Sequence, residues 1–125
     1  MDKLFLMFAA FFGASAVGLG AFAAHGLRGQ LSDKLLGTFQ TGVEYQMYHA
    51  LALFAVGIVA RFWPSSALSI AGGLFIAGVL LFSLSLYGLA LGGPRILGPI
   101  TPIGGVCFIG GWIALAVACW RLPTL

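Results

Sequence analysis

The stretch that decides the fold is Thr38–Ala60, TFQTGVEYQMYHALALFAVGIVA, which begins polar and ends wholly apolar. At about 100° per residue on a helix, the polar side chains of its first half share one broad arc: Thr38, Thr41, Glu44, Tyr45, Gln46, Tyr48 and His49. From Ala50 onward no side chain of the stretch is polar. The pattern predicts one helix that starts amphipathic near a membrane surface and then enters lipid.

The composition of the whole chain indicates a membrane protein. Of 125 residues, 61% are hydrophobic and 7% are charged, whereas a soluble domain has about 25% charged residues. So few charges cannot cover a water-facing surface, and we interpret residues 1–125 as a single integral membrane domain. The net charge of +3 is spread out with no basic cluster, which argues against nucleic-acid binding.

Working outward from the first stretch, apolar segments predict membrane spans at about 4–24, 45–60, 66–90 and 100–120. The segments outside the second are long enough for a hydrocarbon layer of about 30 Å, and the second helix begins well upstream of 45. The predicted fold is therefore an all-α membrane protein, a bundle of four transmembrane helices with an amphipathic start to the second.

Local signals place the helix ends. Ser32 is a predicted cap for the second helix, and Ser65 or Ser66 begins the third. Gly37 and Gly42 leave open whether the second helix is continuous or splits into a surface segment and a spanning segment. Ser83 and Ser85 are expected to bond carbonyls of their own helix.

The first apolar segment has two interpretations. Ala21-Phe22-Ala23 resembles a signal-peptide cleavage site, but the apolar run exceeds the roughly 7–15 residues of such peptides. We therefore expect the span to be retained. Two stripes of small residues at four-residue spacing predict close helix packing, one of them inside the bundle and the other between copies in a homo-oligomer: Ala16, Gly20 and Ala24, then Gly110, Ala114 and Ala118.

Four spans put both chain ends on one side of the membrane, but the positive charges do not choose that side. Lys3, Arg61 and Arg121 lie on the terminal side, and Arg28, Lys34 and Arg95 lie on the other. Because acids contribute little to the positive-inside rule, the charges tie, and only the position of Lys3 before the first span favours termini inside.

Several strings carry a family resemblance: Ala24-His25-Gly26-Leu27, then YQMYHALAL over residues 45–53, and TPIGG over residues 101–105. The chain resembles the YgdD/YwdK-like small membrane protein family, domain of unknown function 423, which is similar to animal transmembrane protein 256. The resemblance covers nearly the whole chain. It implies a multi-pass protein of the cell inner (plasma) membrane and no known activity. Glu44 departs from the family's basic or neutral residue at that position.

Ionisable and aromatic residues suggest a candidate polar site at the membrane face reached by the first loop: His25, Arg28, Glu44, Tyr45, Tyr48, His49 and Arg95. Ionisable groups within a bundle are functional candidates. The simpler interpretation is a structural network that pins the loop and sets the helix tilt. In either case we expect Glu44 to pair with Arg95, or second with His25, because an unpaired carboxylate is costly in lipid.

These residues leave several functions to compare. The favoured prediction is a structural or partner-interaction role in the lipid bilayer; the alternative is a small proton- or ion-coupled transporter or channel using Glu44 and His49. A haem or metal site between His25 and His49 is the third possibility, but the chain has no other histidine and no cysteine pair in support. We predict no metal and no cofactor.

Catalysis and disulfide formation are not expected. Glu44 and His49 are about 140° apart on a helix, and no nucleophile is near them in sequence, so we predict that the chain is not an enzyme. Cys107 and Cys119 are about 18 Å apart along one predicted helix, which is too far for a disulfide.

Overall fold

The computed structural model describes residues 1–124 as an up-and-down bundle of four helices. These are α1 (Asp2–Leu27), α2 (Asp33–Phe62), α3 (Ser66–Ala90) and α4 (Leu97–Trp120), and each is long and apolar enough to cross a membrane. The predicted four-span, all-α architecture is confirmed. Each helix runs antiparallel to the one before it, so Met1 and Arg121 lie at the same end of the bundle.

Side-chain caps start the two central helices. The hydroxyls of Ser32 and Ser65 each accept a hydrogen bond from the backbone N–H three residues later, at 3.2 Å in both cases, as a cap requires. Helix α2 runs unbroken through Gly37 and Gly42, so it is not divided into a surface segment and a spanning segment. Helix α4 begins at Leu97, three residues earlier than expected.

Two helices contain a wider π-turn, at Ala23–Leu27 in α1 and at Val79–Ser83 in α3. A π-turn inserts one residue and so changes which side chains face the neighbouring helix. In α3 the turn directs Ser83 onto α2, where its hydroxyl donates to the carbonyl of Gly42 at 2.8 Å. The expectation that Ser83 bonds its own helix is therefore wrong. Ser85 does bond within α3, donating to the Phe82 carbonyl at 2.8 Å.

The bundle pairs α1 with α2 and α3 with α4, and α2 and α3 form the centre. The buried core is continuous through all four helices and contains Phe5, Phe12, Leu53, Val56, Leu68, Phe75, Val79 and Phe108. Helices α3 and α4 approach closely at Gly104, where a Cβ would lie 2.7 Å from the Phe82 Cβ and 2.8 Å from its Cα.

Five of the six residues in the two predicted small-residue stripes pack against other helices of the same chain. Ala16 and Ala118 are buried, a Cβ on Gly20 would meet Val43, and a Cβ on Gly110 would meet Leu74. Ala114 packs against the core, and Ala24 is exposed. The internal role expected of one stripe therefore applies to most residues of both, and packing between copies along either stripe stays a prediction.

Candidate polar site at the middle of the bundle

Gln46 is the centre of the buried polar contacts. Its side chain is 3% exposed, and its Nε2 donates to the Phe12 carbonyl at 2.9 Å and to Ser15 Oγ at 2.8 Å. Its Oε1 accepts a hydrogen bond from the Tyr87 hydroxyl at 2.6 Å. One amide therefore joins α1, α2 and α3, and both of its polar ends are satisfied.

His49 is held in one orientation by two hydrogen bonds. Its Nδ1 lies 2.7 Å from the Tyr45 carbonyl, and Trp112 Nε1 lies 3.0 Å from its Nε2. A carbonyl can only accept and an indole N–H can only donate, so the geometry assigns the proton to Nδ1 and makes Nε2 the acceptor. This arrangement fits a neutral imidazole, since an imidazolium would set two donors against each other at Trp112.

An aromatic cluster encloses the His49 ring. The ring stacks on Phe108 with centroids 3.6 Å apart and planes 9° from parallel, and its edge meets Phe75 and Trp112. His49 is 4% exposed. The imidazole is therefore part of the packed junction of α2, α3 and α4.

A second contact between α2 and α3 depends on a glycine. At Gly42 a Cβ would lie 2.7 Å from Tyr87 Cε1 and 3.2 Å from the Ser83 carbonyl oxygen. The absence of a side chain lets the Tyr87 ring lie against α2, where its hydroxyl reaches Gln46. Gly42 and Gln46 are one turn apart, so the two polar contacts share one stripe of α2.

The structure brings together only part of the predicted site. Tyr45 lies beside Tyr48 and His49, with ring centroids 5.6 and 6.1 Å away. His49 is buried, whereas the other predicted members are exposed: His25, Arg28, Glu44, Tyr45, Tyr48 and Arg95. The polar arc of α2 is thus divided, with Gln46 and His49 inside the bundle and Glu44 and Tyr48 outside it.

The prediction that His25 and His49 lie together at the membrane face reached by the first loop is wrong. Gln46 bonds to Phe12 and Ser15, which lie midway along α1, so His49 one turn further is near the middle of the bundle. The Phe22 and Phe39 rings meet at 6.3 Å, and His49 is about 15 Å along the helix from Phe39. His25 lies beyond Phe22, at the end of α1, and the two imidazoles cannot share a metal or haem.

The expected pairing of Glu44 is also absent. Among residues 1–124, Glu44 makes no ion pair with Arg95, His25 or any other side chain. The ion pair between side chains joins Asp2 and Arg61 at 3.3 Å, at the opposite end of the bundle. Helix α2 turns Glu44 outward, away from the basic groups of the loops.

Arg28 lies in a different place from the buried contacts. It lines an open groove of about 340 Å³ at the end of the bundle, together with Asp33 and Gln40.

No three histidine, cysteine, aspartate or glutamate side chains converge on a metal position in the described part of the chain. Cys107 and Cys119 are both free thiols.

Sequence reasoning missed the residues that make most of the buried polar contacts, namely Ser15, Gln46, Ser83, Tyr87 and Trp112. Gln46 belongs to the polar arc that the sequence predicts, but the predicted site does not include it. The residue type of Gln46 could have indicated its role. A glutamine inside a spanning helix has two donors and an acceptor that need hydrogen-bond partners, and only neighbouring helices can supply them.

Residues 19–105 match the sequence profile of the family described as protein of unknown function DUF423. The chain belongs to the DUF423 family. No solved structure matches the chain.

Curated relatives resemble the chain over nearly its whole length. The UPF0382 membrane protein YwdK of Bacillus subtilis is 50% identical over 117 residues, which is 93% of this chain and 95% of that protein. The UPF0382 membrane protein SH2409 of Staphylococcus haemolyticus is 47% identical over 95% of this chain and 97% of its own length. These names support a membrane protein of unknown activity, as the resemblance implied.

Proposed function

We propose that this DUF423 chain is a multi-pass protein of the bacterial inner (plasma) membrane that acts as a structural element or by contact with a partner. This proposal rests on one observation, which is that the buried polar side chains all have hydrogen-bond partners. Within residues 1–124, no buried side-chain nitrogen or oxygen lacks a hydrogen-bond partner. The polar groups at the middle of the bundle therefore bond to each other and to backbone, which favours a structural role over a substrate site.

The competing proposal is proton- or ion-coupled transport by Glu44 and His49, which requires both groups to lie along one path. Glu44 is exposed on the outer face of α2, whereas His49 is enclosed by Phe108 and Trp112. A groove of about 200 Å³ does run between α1 and α3 beside Gln46, but its lining is mostly apolar and includes neither Glu44 nor His49. This separation favours the structural proposal.

An enzymatic role has equally little support from the geometry. A serine nucleophile needs a base within hydrogen-bond reach. The hydroxyls of Ser83 and Ser85 instead bond to the carbonyls of Gly42 and Phe82, and the acceptor nitrogen of His49 is occupied by Trp112. We therefore propose a non-enzymatic role.

Ion flux in proteoliposomes tests the proposal. The purified parent, Glu44→Gln and His49→Ala should each give the proton and sodium leak of protein-free vesicles, because no polar path crosses the bundle. Asp33→Asn, which removes an exposed carboxylate at the start of the same helix, is the matched control. Flux above the vesicle blank that is lost in Glu44→Gln or His49→Ala, and kept in Asp33→Asn, would establish transport instead.

A further inference from the structure

One face of α2 is exposed along most of the helix and repeats at alternating spacings of four and three residues. We call this face the α2 seam, and it consists of Glu44, Tyr48, Leu51, Ala55, Ile58 and Phe62, all exposed. A repeat of 3.5 residues is the pattern with which two helices pack side by side in a left-handed crossing, the commonest crossing in membrane bundles. None of the three other helices of the chain covers this face.

The carboxylate of Glu44 lies on the α2 seam, at a height along the bundle where the neighbouring part of α1 is apolar. Gly20 of α1 faces the adjacent Val43, and Gln46 two residues later bonds to Ser15. Between Ser15 and His25, α1 has no polar side chain, and it exposes Val17 at this level. Because the residues of α1 at this level are apolar, we place the level in the hydrocarbon layer of the membrane. Glu44 therefore projects from the bundle into hydrocarbon.

A carboxylate at that depth requires a partner. Acidic residues inside spans almost always pair or face an aqueous cavity, and Glu44 forms no ion pair in the described chain. The lysines and arginines lie near the ends of the helices or in the loops, so no cation of the chain is level with Glu44. A short glutamate side chain also cannot extend to the surface as lysine and arginine do.

Tyr48 supplies the matching donor on the same seam. It is one turn after Glu44 and is 53% exposed. Because helix side chains lean toward the N-terminus, the Tyr48 hydroxyl extends back toward the level of Glu44. Two parallel copies of α2 related by a two-fold axis would therefore place each tyrosine hydroxyl against the carboxylate of the other copy, and an interface of this kind is self-complementary.

We propose that a second copy of this chain packs along the α2 seam, with Tyr48 of each copy donating a hydrogen bond to Glu44 of its partner. The inference extends the proposed structural role by naming a partner and a surface. The two proposals fail separately, because ion flux tests the first and dimer formation tests the second.

Cysteine cross-linking in native membranes tests the seam directly. In a background of Cys107→Ala and Cys119→Ala, single variants Leu51→Cys and Ile58→Cys should form disulfide-linked dimers on mild oxidation. Ile109→Cys and Ile113→Cys on α4 are matched controls, because both side chains are also exposed but lie on another helix, and they should remain monomeric. Cross-linking absent from the seam, equal at the control positions, or directed only to another protein would overturn the proposal.

The hydrogen bond has its own test, the dimer dissociation constant in vesicles measured by energy transfer between labelled copies. Tyr48→Phe removes both symmetric bonds from the dimer, and at the average strength of interhelical hydrogen bonds in membranes it should weaken the dimer by about eight-fold. Tyr45→Phe should leave it unchanged, because Tyr45 packs on Phe82 of its own chain with centroids 4.8 Å apart. Equal dissociation constants for the parent and Tyr48→Phe would exclude the Tyr48–Glu44 bond.

Discussion

Gly104→Ala is expected to destabilise the bundle by about 3 kcal/mol, the upper part of the range for overpacking a core. A Cβ at this position would lie 2.7 Å from Phe82 Cβ and 2.8 Å from Phe82 Cα. Flexible side chains can move away from an added methyl group, but here the obstacle is the backbone of α3 inside its π-turn. Helices α3 and α4 would have to separate, and the contacts of Phe108 and Phe75 would loosen with them.

The adjacent glycine provides a matched control for this effect. Gly105→Ala makes the same chemical change in the same turn of α4, but its Cβ would meet only Phe82 ring atoms at 3.9 and 4.0 Å, which is ordinary contact. Both changes gain the same intrinsic helix preference of about 1 kcal/mol. Thermal unfolding in mild detergent should separate the two variants clearly. Equal unfolding temperatures would show that α3 and α4 are further apart than the structure places them.

Gln46→Leu is the second change with a large expected effect, a loss of about 2 kcal/mol in the free energy of unfolding. It removes the hydrogen bonds to Phe12, Ser15 and Tyr87, and interhelical bonds in membranes average about 0.6 kcal/mol each. It also leaves the Tyr87 hydroxyl buried without its acceptor, which adds a desolvation cost.

Two further variants isolate the contribution of the network. Gln40→Leu makes the same change at an exposed position of α2 and should have little effect on thermal unfolding. Gln46→Leu combined with Tyr87→Phe should recover part of the loss, because removing both partners is less costly than leaving one unpaired. If Gln46→Leu and Gln40→Leu unfold at the same temperature, the buried amide does not hold the helices together.

Residue chemistry predicted the four spans and the two serine caps because both depend on local pattern. Apolar runs of sufficient length form helices in lipid since no other structure satisfies their backbone, and Ser32 and Ser65 cap by local geometry. The interior of the bundle was harder to predict. In lipid, apolar side chains such as Leu51 and Phe54 face outward, so hydrophobic periodicity does not distinguish the inside from the outside.

The same limitation explains why the polar arc was assigned to one site. Gln46 and His49 turn inward because Ser15, Tyr87 and Trp112 offer partners on three other helices, and those contacts span up to 63 residues of sequence. Neither these long-range partners nor the π-turn that directs Ser83 toward α2 has a local sequence signal. Glu44, only two residues from Gln46, lacks such partners and faces outward.

The central claim is that the polar groups at the middle of the bundle bond to each other and are closed to water. Exchange of the tryptophan indole N–H groups with deuterated water, followed by NMR in detergent micelles or nanodiscs, tests this most directly. The Trp112 side chain is 47% exposed, but its indole N–H donates to His49 inside the bundle, whereas Trp120 is 90% exposed at the end of α4. We predict that the Trp112 signal persists long after the Trp120 signal has disappeared. Exchange of both signals at the same rate would mean that water reaches His49, and it would contradict the structural account.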